Sequence, residues 1–106
     1  MAGPILVTGG AGFLGRHVIV QLLEAGYDVR AFQRSSGEGL SGKGVETIQG
    51  SVLDRERLLD ALQGCTAVCH LAGRVSRDRR MFRELRELHV EGTRNVLELA
   101  REAQVV

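Results

Sequence analysis

Residues 8–15 read TGGAGFLG, four glycines in eight positions, directly behind the apolar triplet Ile5-Leu6-Val7. Such a run is poor material for a strand or a helix, because glycine loses more backbone entropy on ordering than any other residue. Its use lies in what the missing Cβ permits. A chain can turn tightly from strand to helix, another group can approach the backbone, and the helix can seat hard against the sheet.

The sequence on either side supplies that strand and that helix. Ile5-Leu6-Val7 reads as a short buried strand. Downstream, Leu14, Val18 and Leu22 recur every four residues with Ile19 and Leu23 beside them, which predicts a helix closed at Gly26 by a left-handed cap. Val29 to Phe32 reads as a second strand, residues 35–44 (SSGEGLSGKG) as a flexible loop, and Val45 to Gln49 as a third strand. Asp54 has the place of an N-cap for a second helix, whose apolar face is Leu58, Leu59, Ala61 and Leu62 and which stops at Gly64. Ala67 to Ala72 predicts a fourth strand. Beyond an arginine-rich stretch, a long helix from Met81 to Ala103 carries Phe82, Leu85, Leu88, Val96, Leu99 and Ala103 near one face. Val105-Val106 reads as the opening of a fifth strand.

Strands alternating with helices through short connections predict an α/β fold, a doubly wound parallel sheet with helices on both faces. Right-handed crossovers favour a Rossmann arrangement with strand order 3-2-1-4 and a fifth strand begun. Residues 1–106 read as one domain, without internal repeats, and the expectation is a chain truncated at the start of strand five with no substrate domain following.

In that setting the glycines fit two overlapping spacings, Gly10-x-Gly12-x-x-Gly15 and Gly9-x-x-Gly12-x-x-Gly15. Both match dinucleotide fingerprints, and the strand before and helix after supply the context such a motif needs. Free amides at the first turn of the helix, assisted by its dipole, then face a pyrophosphate. The next diagnostic position is the end of the second strand, where an acid would grip the ribose 2′-hydroxyl of NAD. Here the chain reads Gln33-Arg34-Ser35-Ser36. A guanidinium pairs with a 2′-phosphate where a carboxylate would repel it, so Arg34 favours NADP, with NAD as the alternative. Asp28 precedes the strand and does not replace the missing acid.

Composition excludes other classes. The chain has 106 residues, 43% hydrophobic and 25% charged, with a formal net charge of +1. That balance gives no electrostatic reason to bind nucleic acid. The arginine cluster from Arg74 to Arg86 is interrupted by Asp78 and Glu84 and has no interleaved stacking platform. No apolar run approaches the ~18 residues of a membrane span, and the N-terminus lacks a basic leader region, so the expected location is the cytoplasm. Cys65 and Cys69, four apart, read as buried reduced thiols. His17, His70 and His89 show no metal-ligand spacing, so no metal site is expected.

Four motifs in order, TGGAGFLG, GSVLD at 50–54, HLAG at 70–73 and HVEGTRNVLELA at 89–100, resemble those of extended short-chain dehydrogenases/reductases, the NAD(P)-dependent epimerase/dehydratase group. The Arg34 pattern is similar to that of the dihydroflavonol-reductase-like branch, and the resemblance runs from Ile5 to Val106. It implies that Gly9, Gly12, Phe13 and Leu14 line the pyrophosphate and that Arg34 meets the adenosine ribose. It implies that Val52 keeps an apolar contact with adenine, while Ser51 stands where the family has aspartate. Leu71, Ala72 and Gly73 would lie along the cofactor near the nicotinamide. His89 stands where the family has an asparagine that helps hold a proton relay. This makes His89 a catalytic candidate, the other reading being a helix histidine packed against the sheet edge. The family's Tyr-x-x-x-Lys pair and serine follow the fifth strand. Tyr27 and Lys43, sixteen apart beside early loops, cannot play that part.

The expected function is the cofactor-binding portion of an NAD(P)-dependent oxidoreductase or epimerase, with a small-molecule substrate engaged only by a C-terminal half. Relatives of this kind are commonly dimers, which makes a homo-oligomer the expectation the resemblance carries. The alternative is a non-catalytic nucleotide-binding or redox-sensing module acting through a partner.

Overall fold

A computed structural model describes residues 3–37, 40, 44–72 and 78–105. Within them lie four strands, Ile5–Thr8 (β1), Val29–Gln33 (β2), Val45–Gln49 (β3) and Ala67–His70 (β4), all parallel and ordered β3-β2-β1-β4 as the pattern predicts. Thr8 lies opposite Phe32 on one side and His70 on the other, so the strands finish along one edge of the sheet. Gly73 and Val106 lie outside the described residues, and with them one predicted wall residue and the end of the predicted fifth strand. Val105 packs against the core, its N–H bonded to the Ala100 carbonyl at 2.7 Å.

Both faces of the two central strands are covered, which explains why β1 reads as an apolar run without alternation. Helix α1 (Phe13–Glu24) takes one face and helix α2 (Arg55–Leu62) the other. Val7, Val29 and Ala31 pack with Ile19 of α1. Leu6 and Phe32 pack on the opposite side with Leu58 and Leu62 of α2. A final helical run shares that second face. It consists of a 3-10 turn at Arg79–Met81, helix α3 (Phe82–Arg86), a π-helical turn at Glu87–Glu91 and helix α4 (Gly92–Glu102). Each fully buried Leu or Val contributes roughly 1.5–3 kcal/mol of transfer free energy.

Helix ends follow the expected chemistry. The Asp54 carboxylate accepts the Arg57 N–H at 3.1 Å as the N-cap of α2. Gly26, at φ 90°, ends α1 in a left-handed turn, with the Gly26 and Tyr27 amides returning to the Leu23 and Leu22 carbonyls.

Three details depart from the sequence pattern. The buried stripe of α1 runs through Gly15 and Ile19, with Leu22 and Leu23 partly covered, whereas Leu14 is 58% exposed. The helix is seated on the sheet at its glycine, and this rotates Leu14 outward. Phe82 is likewise outside, at 69% exposure, because the π-turn adds a residue and changes the phase of the apolar stripe. Leu40, inside the predicted flexible loop, is buried against the Val7 and Ile19 layer. Cys65 is buried and Cys69 half-buried, both unpaired.

Asn95 ties α4 to the loop after β3. Its amide Nδ2 donates to the Val52 carbonyl at 2.9 Å, and its Oδ1 accepts from Arg55 at 2.7 Å. Asn95→Ala leaves a buried carbonyl and a guanidinium without these partners. It is expected to cost about 1–3 kcal/mol in urea unfolding.

Candidate functional site

A groove of about 330 Å³ opens at the carboxyl ends of the strands. Gly9, Ala11 and Gly12 line it from the turn after β1, Gln33, Arg34 and Ser35 from the end of β2, Gly50 and Val52 from beyond β3, and Leu71 and Ala72 from beyond β4. Six of the residues named from sequence therefore meet in one place: Gly9, Gly12, Arg34, Val52, Leu71 and Ala72.

The four glycines of the turn have different reasons for being glycine. Gly9 has φ 71°, and a Cβ there would lie 2.9 Å from backbone atoms of Leu71 and Ala72. At Gly10 a Cβ would meet the Ala31 Cβ at 2.8 Å, and at Gly15 it would overlap the Gly9 carbonyl oxygen. Gly12 differs. It is the N-cap of α1 with φ −76°, and a Cβ would meet only the Gly9 oxygen, at 3.3 Å. Packing within the protein accounts for Gly9, Gly10 and Gly15, and leaves the bareness of Gly12 to be explained by what approaches it from the groove.

Phe13 and Leu14 do not line the groove with their side chains. Phe13 is 84% exposed and meets the His17 ring edge-on, with centroids 4.7 Å apart. What these residues contribute is the backbone of the first turn of α1. No side chain caps the start of α1, so its first amides are available to an anion. Sequence reading could not say that the peptide, rather than the side chain, is what these positions offer at the helix start.

At the end of β2, Arg34 is exposed, its carbonyl held by Gln49 Nε2 at 2.9 Å. Gln33 beside it is only 6% exposed, and its Oε1 is the one buried side-chain acceptor among the described residues with no hydrogen-bond donor. Its Nε2 stands 3.5 Å from the Ile48 carbonyl. Sequence reading noted Gln33 only as the absence of an acid. The orphaned Oε1 lies beside Gly10, where a Cβ would come within 3.1 Å of it, and a buried acceptor without a donor costs free energy.

Val52 is 3% exposed and pressed against Gly92, where a Cβ would lie 2.6 Å from its Cγ2. Ser51 does not line the groove. Its Oγ accepts the Leu53 N–H at 3.1 Å and is spent on the local turn. His89 also stands outside the groove. It is exposed on the π-turn and borders a shallow surface depression with Val90, Thr93 and Leu97. Among the described residues no cluster could hold a metal ion, and no helix is long and apolar enough to cross a membrane.

The sequence profile of the NAD dependent epimerase/dehydratase family matches residues 5–106. Sterol demethylase protein B of Methylococcus capsulatus is 39% identical over 102 residues, covering 94% of this chain and 31% of that protein. A Synechocystis protein provisionally described as a dihydroflavonol 4-reductase is 36% identical over 107 residues, covering 99% and 31%. Among solved structures, a short-chain dehydrogenase/reductase superfamily protein of Agrobacterium tumefaciens with bound NAD superposes with TM-score 0.82 at 40% identity, covering 95% of this chain and 30% of that one. The chain thus spans about 30% of the length of the proteins it matches.

Proposed function

The chain belongs to the NAD-dependent epimerase/dehydratase family, and from that premise we propose that its groove binds the adenosine and pyrophosphate portion of a nicotinamide dinucleotide, NADP in preference to NAD. Gly12 carries this reading. It is the one glycine of the turn that no protein neighbour requires, at a helix N-terminus whose amides are uncapped. The residues present fit the cofactor. The α1 amides would receive the pyrophosphate, Val52 would pack on adenine, and the end of β2 at Gln33 and Arg34 would meet the adenosine ribose.

The preference for NADP rests on Arg34. The Agrobacterium structure holds NAD, which supports a nicotinamide dinucleotide in general. In this chain a neutral amide and a guanidinium stand at the end of β2, where NAD-selective sites carry an acid. The bound cofactor supplies hydride exchange at its nicotinamide, and this chain's residues hold and orient it. Proton transfer and substrate selection belong, in this proposal, to further residues of a longer oxidoreductase or epimerase, since the chain itself has no Tyr-x-x-x-Lys pair.

Isothermal titration with NADP and NAD tests the proposal. Saturable binding with NADP at least about tenfold tighter is expected, a difference of ~1.4 kcal/mol. Equal affinities would remove the role of Arg34, and no binding of either cofactor would remove the proposal.

A further inference from the structure

Thr8, the last residue of β1, is fully buried. Its Oγ1 accepts the N–H of Leu71 at 2.9 Å and of Ala72 at 3.1 Å, and stands 2.7 Å from His70 Nδ1. The Leu71 N–H is shared with the Thr8 carbonyl at 3.2 Å, whereas the Ala72 N–H has the hydroxyl. A hydroxyl has one proton to give and two acceptor positions. Both positions are filled by amides, so the hydroxyl proton goes to His70 Nδ1, which must be bare. The ring proton then sits on Nε2, where it donates to Thr93 Oγ1 of α4 at 3.1 Å.

Leu71 and Ala72 are groove residues, and the glycine turn rests on them at Gly9. Whatever holds their amides also holds the junction between the β4 end and the phosphate cradle. We propose that His70 is a positioning residue that acts through Thr8: as the neutral Nε2–H tautomer it orients the hydroxyl that fixes Leu71 and Ala72, and in its protonated form it displaces one of their two amides from that hydroxyl and weakens cofactor binding. This role rests on the reading of the groove as a dinucleotide site.

Protonation is disruptive for a countable reason. A charged imidazole has an N–H at both nitrogens, and the one on Nδ1 would face an oxygen whose acceptor positions are already filled. One of the two amide bonds must then be given up. Burial holds the His70 ring below the ordinary histidine value, and His89 on the π-turn, its titratable neighbour, acts in the same direction. The neutral arrangement is therefore fully present above the ordinary value near ~6.5 and is lost as pH falls through the lowered one.

Imidazole nitrogen shifts of the histidine-labelled full chain, followed through a pH titration, report tautomer and protonation without any cofactor. His70 is expected to carry its proton on Nε2 and to become charged only below the ordinary histidine range. NADP affinity is then compared at about pH 7.5 and about pH 5.5 in the wild type and in His70→Asn, whose Oδ1 can accept from Thr8 but cannot titrate. The variant is expected to bind more weakly than wild type at the higher pH. Acid should weaken the wild type more than the variant, by no more than severalfold at about pH 5.5 because His70 charges only below the ordinary histidine range, whereas ionisation of the cofactor's own phosphate is common to both.

An Nδ1–H tautomer, or a ring already charged at neutral pH, would overturn the hydrogen-bond chain. An Nε2–H tautomer with equal acid responses in the two proteins would overturn the positioning role while leaving the dinucleotide site standing. Failure of the wild type to bind either cofactor at any pH would instead overturn the site, and the positioning role with it.

Discussion

Replacing Gly12 with valine is expected to lower NADP affinity by at least about 100-fold, ~2.7 kcal/mol, in a chain that still folds cooperatively. The two halves of that expectation have separate causes. Gly12 has an ordinary negative φ, and the one atom near its absent Cβ, the Gly9 carbonyl oxygen at 3.3 Å, can yield by a few tenths of an ångström. With the poorer N-cap character of valine, the cost to folding is about 1 kcal/mol. On the groove side the branched side chain stands over the uncapped amides of α1, where the pyrophosphate must approach the backbone. Gly15→Val makes the contrast. Its Cβ would overlap the Gly9 oxygen and lie 2.9 Å from the Gly10 Cα, so helix and turn would have to separate. That variant is expected to lose several kcal/mol, at least ~3, and to show it in thermal melts. Calorimetric titration beside circular-dichroism melts separates the two effects. Normal NADP binding by a folded Gly12→Val chain would show that the cradle is not where the phosphates sit.

These glycines also mark where sequence was informative and where it was not. Spacing identified the turn, and alternation of apolar runs identified four strands and their order, because a parallel sheet covered on both faces needs runs such as Ile5-Leu6-Val7. Spacing could not assign separate tasks to Gly9, Gly10, Gly12 and Gly15, since each task depends on atoms from β2, β4 or α1 that are distant in sequence. The Leu14-Val18-Leu22 stripe was misplaced for a related reason: a periodic pattern does not reveal that a glycine is the point of closest contact. Phe82 was misplaced because a π-turn leaves no signature in apolar periodicity. The link from Thr8 through His70 to Thr93 joins residues 62 and 23 positions apart, and only the folded register brings them together. Gln33 could have been noticed earlier. A neutral polar residue ending a strand that otherwise reads as buried is a candidate for an unpaired group.

Arg34→Asp is expected to reverse the cofactor preference, with NADP weakened by about 100-fold and NAD affinity held or improved. The substitution acts twice on a 2′-phosphate. It removes a charge-assisted hydrogen bond worth about 1.5–3 kcal/mol, and it places a carboxylate beside a group of the same sign. Arg34 is exposed, so solvent and salt reduce both contributions and the shift should shrink as ionic strength rises. NAD has no phosphate at that position, and the new carboxylate can accept its ribose 2′-hydroxyl. Gln33→Leu is the companion measurement. It replaces a neutral polar side chain that lines the groove at the ribose end common to both cofactors, so it should weaken both dinucleotides by similar factors and leave their ratio unchanged. Titration of both cofactors at low and high salt distinguishes the residues: a changed ratio belongs to Arg34, and a common loss belongs to Gln33. If Arg34→Asp left the ratio where it was, the guanidinium would be a solvated loop charge, and the selectivity would have to arise elsewhere along the groove.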